Sequence, residues 1–247
     1  MNIKARKLSR LKLLDGSPVP ADAVIRFTTD GSEPNDTSEI LDISNGLYVS
    51  DNTVIKAAIF HEGYITPKSV SGVYLFHHRK LTLPTVSLVI DSLDLYDSKY
   101  GIFTMNKGEN NPKYDWRRPA TMSYFGTADA SPIFVQRCEV RVGGAYSRSN
   151  RLKSLIVYAD DRFKTNDWFE YAFWPVTTPS VKKVPSLALR SSGNDFGNSH
   201  MRDGIAQIVM GMYTDLDWQG FQPAIFYINQ YYQGLINLRE RANEDNI

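Results

Sequence analysis

The chain is poor in the residues that build disulfide frameworks, thiol nucleophiles and metal sites. Its 247 residues include one cysteine, Cys138, and four histidines. A single cysteine excludes an intrachain disulfide and a cysteine-rich zinc site. Neither GxSxG nor GxxxxGK[ST] occurs, so the sequence has no nucleophile elbow and no Walker loop. Cys138 falls in an alternating strand pattern, which indicates a buried small apolar residue.

Long apolar runs and net charge are also lacking. No segment approaches the length of a membrane-spanning helix, and the basic stretch Lys4–Lys12 lacks the apolar region of a signal peptide. The formal net charge of +1 gives no electrostatic case for nucleic acid as a partner. The composition, 42% hydrophobic and 22% charged, is that of an ordinary globular protein. We therefore expect folded domains with apolar cores.

Short strands separated by turn residues predict an all-β first domain over residues 1–76. The predicted strands are Val24–Thr28, Thr53–Phe60 and Ser69–Leu75. In the intervening TDGSEP segment, Asp30 can accept backbone N–H groups in an Asx-turn, and Gly31 supplies a positive φ. A sugar- or metal-binding role for Asp30 and Glu33 is the alternative interpretation. The strand spacing predicts a small β-sandwich.

Four segments of this domain, FTTDGSEP, TVIKA, EGY and SGVYLF, resemble the small β domain at the C-terminus of chitobiases and β-hexosaminidases. The resemblance covers about Val24–Phe76. It implies an immunoglobulin- or fibronectin-like sandwich of the kind that recurs as a module in bacterial surface proteins. Residues 77–82 are interpreted as a linker.

From Leu83 the pattern changes to longer strands with one substantial helix. The predicted strands are Thr85–Ile90, Ala120–Phe125, Val135–Val142, Arg151–Tyr158 and a hairpin of Pro223–Ile228 with Gly234–Arg239. A helix is predicted from near Met201, with Ile205, Ile208, Val209, Met212, Tyr213 and Leu216 forming one apolar stripe. Ser199 or Asn198 is the candidate cap, and Asp203 falls in the first turn. The second domain, residues 83–247, is therefore predicted to be α+β and rich in sheet.

Several segments of the second domain, in their order and spacing, resemble the CotH (spore coat protein H) family of secreted, kinase-like bacterial proteins. The matching segments are LPTVSLVID, DWRRPATMSYF, RVGGAYSRSNRLKSLIVYA, the LRSSGND…RD block and the final hairpin ending in NLRE. The resemblance runs from about Leu83 to Glu240. It implies the N-terminal, nucleotide-binding portion of an atypical kinase fold, with ATP and Mg²⁺ or Mn²⁺ as cofactors.

The resemblance also implies which side chains contact nucleotide. Phosphoryl transfer requires cations around the triphosphate, and Lys153 follows a Gly143-Gly144 loop that permits close backbone approach. Arg148 matches the Ser-Arg pair of the family and is a candidate for bidentate phosphate contact. The other candidate cofactor-binding residues are Arg190, Asp195, Asp203, Arg239 and Glu240. Glu240 is the hypothesised acidic partner of Lys153.

Structural roles are the alternative for each of these residues. Asp203 can simply favour the helix N-terminus, and Arg202 or Arg239 can form ion pairs that tie the helix to the sheet. The Gly143-Gly144 pair is equally compatible with a hairpin turn.

The sequence departs from the family pattern at two places. The hairpin turn reads Asn229-Gln230 where the family has Asn-Gly, so a turn of different geometry is expected. Gln233 stands where the family has Trp. The resemblance places the catalytic and metal-binding acidic residues of such kinases downstream of NLRE, beyond Ile247, so no catalytic or metal residue is predicted here.

Two functions follow as hypotheses. The first is the N-terminal portion of an extracellular or surface kinase that phosphorylates extracellular or coat proteins in full-length relatives, inactive as this chain. The second is a non-enzymatic surface adhesion or carbohydrate-binding protein, in which the aromatic residues of Tyr231-Tyr232 and Trp168–Trp174 stack on the sugar rings of a surface glycan. Neither hypothesis includes a transmembrane segment or nucleic acid.

Overall fold

The computed structural model describes residues 22–42, 44–63, 69–77, 81–106, 109–127, 131–160 and 166–241. The chain divides into two compact units, and the main boundary in the sequence falls between Arg79 and Lys80, with Asn229–Tyr231 assigned to the first unit. The interpreted linker includes this boundary, but residues 78–80 lie outside the described residues, as does the basic stretch Lys4–Lys12.

The described residues before Arg79 form one antiparallel sheet. Its strands are β1 (Val24–Thr28), β2 (Glu39–Ile40), β3 (Thr53–Phe60) and β4 (Val70–Tyr74), in the order β2-β1-β3-β4. Val54, Lys56 and Ala58 of β3 alternate toward the buried face. The all-β prediction is confirmed, whereas the second layer of a sandwich is not formed by residues 22–42, 44–63 and 69–77.

The DGSEP turn has the conformation that its residues predict. The Asp30 carboxylate accepts the backbone N–H of Ser32 at 2.9 Å, and Gly31 has φ +87°. Glu33 pairs with the buried Lys56 ammonium at 2.7 Å, and that ammonium also donates to the Gly31 carbonyl at 3.2 Å. A buried ammonium needs such partners, so both acidic residues have structural contacts in this turn.

The second unit is a closed barrel with two helices and a small hairpin outside it. The elements are β5 (Thr85–Val89), α1 (Ser92–Tyr96), β6 (Met105–Asn106), β7 (Glu109–Asn110), β8 (Arg118–Phe125), β9 (Phe134–Val142), β10 (Leu155–Tyr158), β11 (Ser186–Arg190), α2 (Arg202–Tyr213), β12 (Phe221–Ile228) and β13 (Tyr231–Glu240).

The barrel order is β10-β11-β13-β12-β5-β8-β9, with β9 closing on β10. Strand β12 runs parallel to β5, while β5–β8, β8–β9, β10–β11 and β11–β13 are antiparallel. The sheet-rich prediction is confirmed. Strand β11 was not predicted from the sequence, and the predicted β10 begins four residues early, because Arg151–Ser154 belong to the preceding loop.

Apolar side chains from alternate positions along the strands fill the barrel interior. They include Val86, Leu88, Met122, Val140, Cys138, Leu155, Val157, Leu187, Leu189, Phe226, Ile236 and Leu238. Burial of Cys138 is confirmed. The aromatic residues Phe169, Phe173 and Trp174 close part of this core, and the Trp174 indole donates to the Leu238 carbonyl at 2.9 Å.

Helix α2 presents glycines, not its apolar stripe, to the barrel. A Cβ on Gly204 would overlap the Phe221 ring, and one on Gly211 would overlap Trp218. Close approach therefore fixes the side of the helix that faces the sheet. The stripe that helical periodicity predicts is turned outward, with Val209 49% and Met212 67% exposed. An ordinary surface helix buries such a stripe.

Candidate functional site

Two loops leave the barrel at the same end. Strand β10 begins at Leu155, which lies beside Val142 at the end of β9 and beside Leu189 near the end of β11. The register of these strands therefore brings together the 143–154 loop and the 191–201 loop. Both glycines of the first loop are constrained, because Gly144 has φ +86° and a Cβ on Gly143 would contact Ile156 at 3.3 Å.

Buried hydroxyls and one amide connect the two loops to the sheet. The Ser191 backbone N–H donates to the Ser154 hydroxyl at 3.0 Å, and the two hydroxyl oxygens lie 3.1 Å apart. The Asn237 amide on β13 donates to the Ser192 hydroxyl and to the His200 carbonyl, each at 2.7 Å. Ser192 has φ +65°, a strained conformation for a residue with a side chain.

Lys153 lies in the first loop, immediately before β10, and its ammonium points inward. It donates to the carbonyls of Arg148 and Asn150 at 3.0 and 3.1 Å. The Met105 sulfur lies 3.8 Å from it, and the ring centroid of Phe103 lies 5.7 Å from it. Burial lowers the Lys153 pKa. The ammonium thus stabilises the loop that contains the 3-10 turn Tyr146–Ser149.

Arg148 ties the same loop to the segment before β8. Its guanidinium donates to the carbonyls of Pro112 and Lys113 at 3.1 and 2.6 Å. It also forms an ion pair with Asp115 at 2.7 Å, and Arg141 approaches the same carboxylate at 3.0 Å. The hydrogen bond from Arg148 is the main cause of the lowered Asp115 pKa. The guanidinium that the sequence assigns to phosphate is engaged within the protein.

Asp195 in the second loop caps helix α2. Its carboxylate accepts the Ser199 hydroxyl at 2.7 Å and the backbone N–H of Arg202, the first helical residue, at 3.1 Å. The predicted cap was wrong: the N-cap residue is Met201, whose side chain makes no cap, and Ser199 accepts only the Met201 N–H at 3.3 Å. The loop approaches the helix so that a carboxylate reaches its unpaired N–H groups.

We predict that Asp195→Asn destabilises the protein at neutral pH and that this difference disappears as the pH falls. The Ser199 hydrogen bond, followed by that of Arg202, lowers the pKa of Asp195 to about 2. A carboxyl whose pKa is depressed by folding stabilises the protein above the unfolded pKa of about 4 and loses that contribution as pH falls through the folded value. Urea midpoints of the two proteins should differ most at neutral pH and converge toward pH about 2. A difference that stays constant down to that pH would contradict the capping role.

Arg190, Asp203 and Arg239 form one charge cluster under the start of helix α2. The Asp203 carboxylate lies 2.7 Å from Arg239 and 3.2 Å from Arg190. Arg239 is 1% exposed and also donates to the Gly220 carbonyl at 3.1 Å, whereas Arg190 is 45% exposed. The ion pair proposed as the structural alternative for Arg239 is therefore present, and it ties helix α2 to β13.

Glu240 is not the partner of Lys153. Glu240 lies opposite Leu187 on β11. Lys153 lies two positions before Leu155, the β10 residue that is opposite Leu189. The Glu240 carboxylate accepts the backbone N–H of Gly220 at 3.3 Å, and burial raises its pKa. The hypothesised Lys153–Glu240 pair was wrong, because the strand register places the two residues at different heights along the barrel.

The seven candidate residues thus divide into four groups. Lys153 and Arg148 lie in the first loop, and Asp195 lies in the second. Arg190, Asp203 and Arg239 form the charge cluster at the start of helix α2. Glu240 lies at the end of β13 and contacts Gly220. Three residues that contact these loops were not predicted from the sequence: Asp115, Met105 and Asn237. Asp115 lies in the DWRRPATMSYF segment that was quoted for the family, but no spacing rule connects it to Arg148.

The aromatic residues proposed for glycan stacking differ in accessibility. Trp174 is 1% exposed and belongs to the core, so its proposed stacking on a sugar was wrong. Tyr231 and Tyr232 on β13 are well exposed, and Trp168 is partly exposed beneath the Lys183 ammonium, 4.8 Å away. In the hairpin turn, the positive φ falls on Asn229 and not on Gln230, so the turn differs from Asn-Gly as expected.

Within the described part of the chain, no three His, Cys, Asp or Glu side chains converge in a way that could hold a metal ion. Neither helix described there has the length and apolarity needed to cross a bilayer.

Comparisons with protein families confirm both resemblances. Residues 140–247 match the family model described as CotH kinase protein, and residues 15–71 match that of the chitobiase/beta-hexosaminidase C-terminal domain. The first match includes both loops, helix α2 and the final hairpin. It begins at residue 140, so the resemblance drawn over Leu83–Glu139 lies outside it. A comparison with curated proteins gave no match.

Proposed function

We propose that residues 140–241 form the nucleotide-binding part of a CotH-like atypical protein kinase, with ATP as ligand. The supporting observation is that the CotH match covers the two loops that meet at one end of the barrel. Their side chains include the cations Lys153 and Arg148, with Arg190 at the adjoining strand end. Cations and close-approaching backbone suit a polyphosphate. In full-length relatives, the proposed reaction is phosphoryl transfer to extracellular or coat proteins at the cell surface.

The donor set fits a triphosphate better than it fits a free metal ion. The residues near the loops are mainly basic and hydroxyl-bearing, and the described residues hold no cluster of metal ligands. In this proposal Mg²⁺ or Mn²⁺ is bound through the nucleotide phosphates, where it would neutralise charge. Asp195 and Asp203 are assigned to positioning the second loop and helix, not to the metal.

Nucleotide binding requires Lys153 to exchange partners. In this conformation its ammonium is satisfied by two carbonyls of its own loop. Phosphate oxygens carry full negative charge and form stronger hydrogen bonds with an ammonium than neutral carbonyls do. We therefore propose that phosphate replaces the Arg148 and Asn150 carbonyls, with a rearrangement of the 146–150 turn that the backbone freedom of Gly143 and Gly144 allows.

We expect ATP with Mg²⁺ or Mn²⁺ to raise the melting temperature of the chain. A ligand at about one hundred times its Kd stabilises the folded state by about 2.7 kcal/mol, which corresponds to about 5 °C or more for a domain of this size. All four tryptophans, Trp116, Trp168, Trp174 and Trp218, lie in the second unit. Tryptophan fluorescence during the melt therefore follows the unit that contains the site.

The size of the shift, not the melting temperature itself, tests the role of Lys153. Lys153→Met keeps the apolar stem and removes the charge, and it should abolish the ATP shift. Lys182→Met changes an exposed lysine of the same unit and should leave the shift intact. An equal ATP shift in Lys153→Met, or no shift in the unmodified chain at millimolar nucleotide, would overturn the proposal.

Binding of a surface glycan is the second candidate, and the exposure of Tyr231 and Tyr232 favours it. The Tyr232 ring packs at 5.6 Å from Tyr227, which holds it in place. Fixed, exposed rings are suitable platforms for sugars. The same melts with polysaccharides in place of ATP distinguish the two candidates.

A further inference from the structure

The outward face of helix α2 is apolar where a surface helix is normally polar. Its exposed residues are Ile205, Ala206, Val209, Met212 and Tyr213, with Met201 before the helix and Leu216 after it. Tyr213 is 77% exposed. Contiguous apolar surface of this kind marks an interaction site. We refer to these seven residues as the α2 outer face.

The face cannot be buried by rotating the helix on its own barrel. Gly204 and Gly211 are required where Phe221 and Trp218 approach. The Asp203 carboxylate must also reach Arg239, and the Gln207 side chain accepts the Gln219 N–H at 2.9 Å. These contacts all lie on the opposite side of the helix. Rotation of α2 would break all of these contacts, so it cannot cover the α2 outer face.

The α2 outer face has a positively charged residue at one end and a negatively charged residue at the other. Arg202, at the N-terminal end, is 73% exposed, and Asp215, just past the C-terminal end, is also exposed. They lie thirteen positions apart, so their midpoint falls between Ile208 and Val209. Two helices that pack antiparallel about a two-fold axis at that midpoint place each Arg202 beside the Asp215 of the other copy. A self-complementary patch is what a two-fold interface requires.

We propose that the α2 outer face is a self-association surface, on which a second copy of this chain docks with its own α2 antiparallel. Val209 lies beside the dyad, and helices that pack through apolar stripes have axes about 8–10 Å apart. The apolar stripes bury each other, and the two Arg202–Asp215 pairs fix the antiparallel register. The proposal is independent of nucleotide binding.

Sedimentation velocity of the whole chain, from about 1 µM to about 200 µM, tests this proposal over the range in which small interfaces associate. We expect a concentration-dependent shift from monomer to dimer. Val209→Glu places a charge at the centre of the face and should raise the dissociation constant by at least about tenfold. Leu93→Glu is the matched control, because Leu93 is 71% exposed on a different helix, α1, and this variant should dimerise normally.

A charge exchange tests the register. Asp215→Arg alone should weaken the dimer, and adding Arg202→Glu in the same chain should restore it, because both intermolecular pairs are re-formed with reversed sign. The melting temperature of each variant shows whether losing the Arg202–Asp195 pair at 3.5 Å has disturbed the helix start. A monomer at every concentration, or a dimer that Val209→Glu leaves unchanged, would overturn the proposal. Failure of the exchange to restore a dimer that Asp215→Arg had weakened would overturn the antiparallel register.

Discussion

Arg239→Met is expected to lower the free energy of unfolding of the second unit by about 3 kcal/mol. The substitution keeps the apolar length of the side chain but removes a guanidinium that is 1% exposed. The Gln219 side-chain oxygen loses its donor, the Gly220 carbonyl keeps only the Glu240 N–H at 3.4 Å, and Asp203 loses its shorter ion pair. Leaving buried polar groups without partners costs more than the intact contacts contribute. Urea unfolding followed by tryptophan fluorescence measures the change.

Arg190→Met is the matched control, because Arg190 pairs with the same carboxylate from a half-exposed position. A surface ion pair contributes about 0–1 kcal/mol, so this variant should differ little from the unmodified protein. Equal losses in the two variants would show that the pairing with Asp203 matters and the burial of Arg239 does not. That result would contradict the account of how helix α2 is fastened to the barrel.

Trp174→Ala is expected to cost about 3–5 kcal/mol, the range for removal of a large buried aromatic side chain. Trp174 is 1% exposed, packs against Phe173 and donates its indole N–H to Leu238 in β13. The alanine leaves a cavity and removes the indole hydrogen bond to the Leu238 carbonyl. Circular dichroism during urea unfolding measures the loss without depending on the deleted fluorophore.

Trp174→Phe separates the two contributions. It retains most of the ring volume and loses the hydrogen bond, so a smaller loss of about 1–2 kcal/mol is expected. A loss below about 1 kcal/mol for the alanine variant would contradict the core position of Trp174 and reopen its use as a sugar platform.

Local patterns predicted the elements whose periodicity is strong. The alternation over Val135–Val142 gave β9 with the observed faces, and the residues of the DGSEP turn gave its Asx conformation. Helix α2 was also predicted near its observed position. These features depend on backbone geometry within a few residues, which a single sequence expresses directly.

Features set by long-range register could not be predicted in the same way. Whether Lys153 faces Glu240 depends on how β10, β11 and β13 align, and nothing local specifies that alignment. The orientation of α2 was likewise decided by the close approach of Phe221 and Trp218 to two glycines, against the helix's own apolar stripe. Tertiary contacts therefore overrode the expected burial.

The most direct test of the proposed nucleotide site is chemical labelling of Lys153. An acyl-phosphate derivative of ATP transfers its acyl group to a lysine next to the bound phosphates, and peptide mass spectrometry identifies the modified residue. Burial lowers the Lys153 pKa, which increases its neutral, nucleophilic fraction. The account predicts acylation of Lys153 that excess ATP suppresses, with Lys182 labelled weakly and regardless of ATP. Absence of label on Lys153, or labelling that ATP does not suppress, would contradict it.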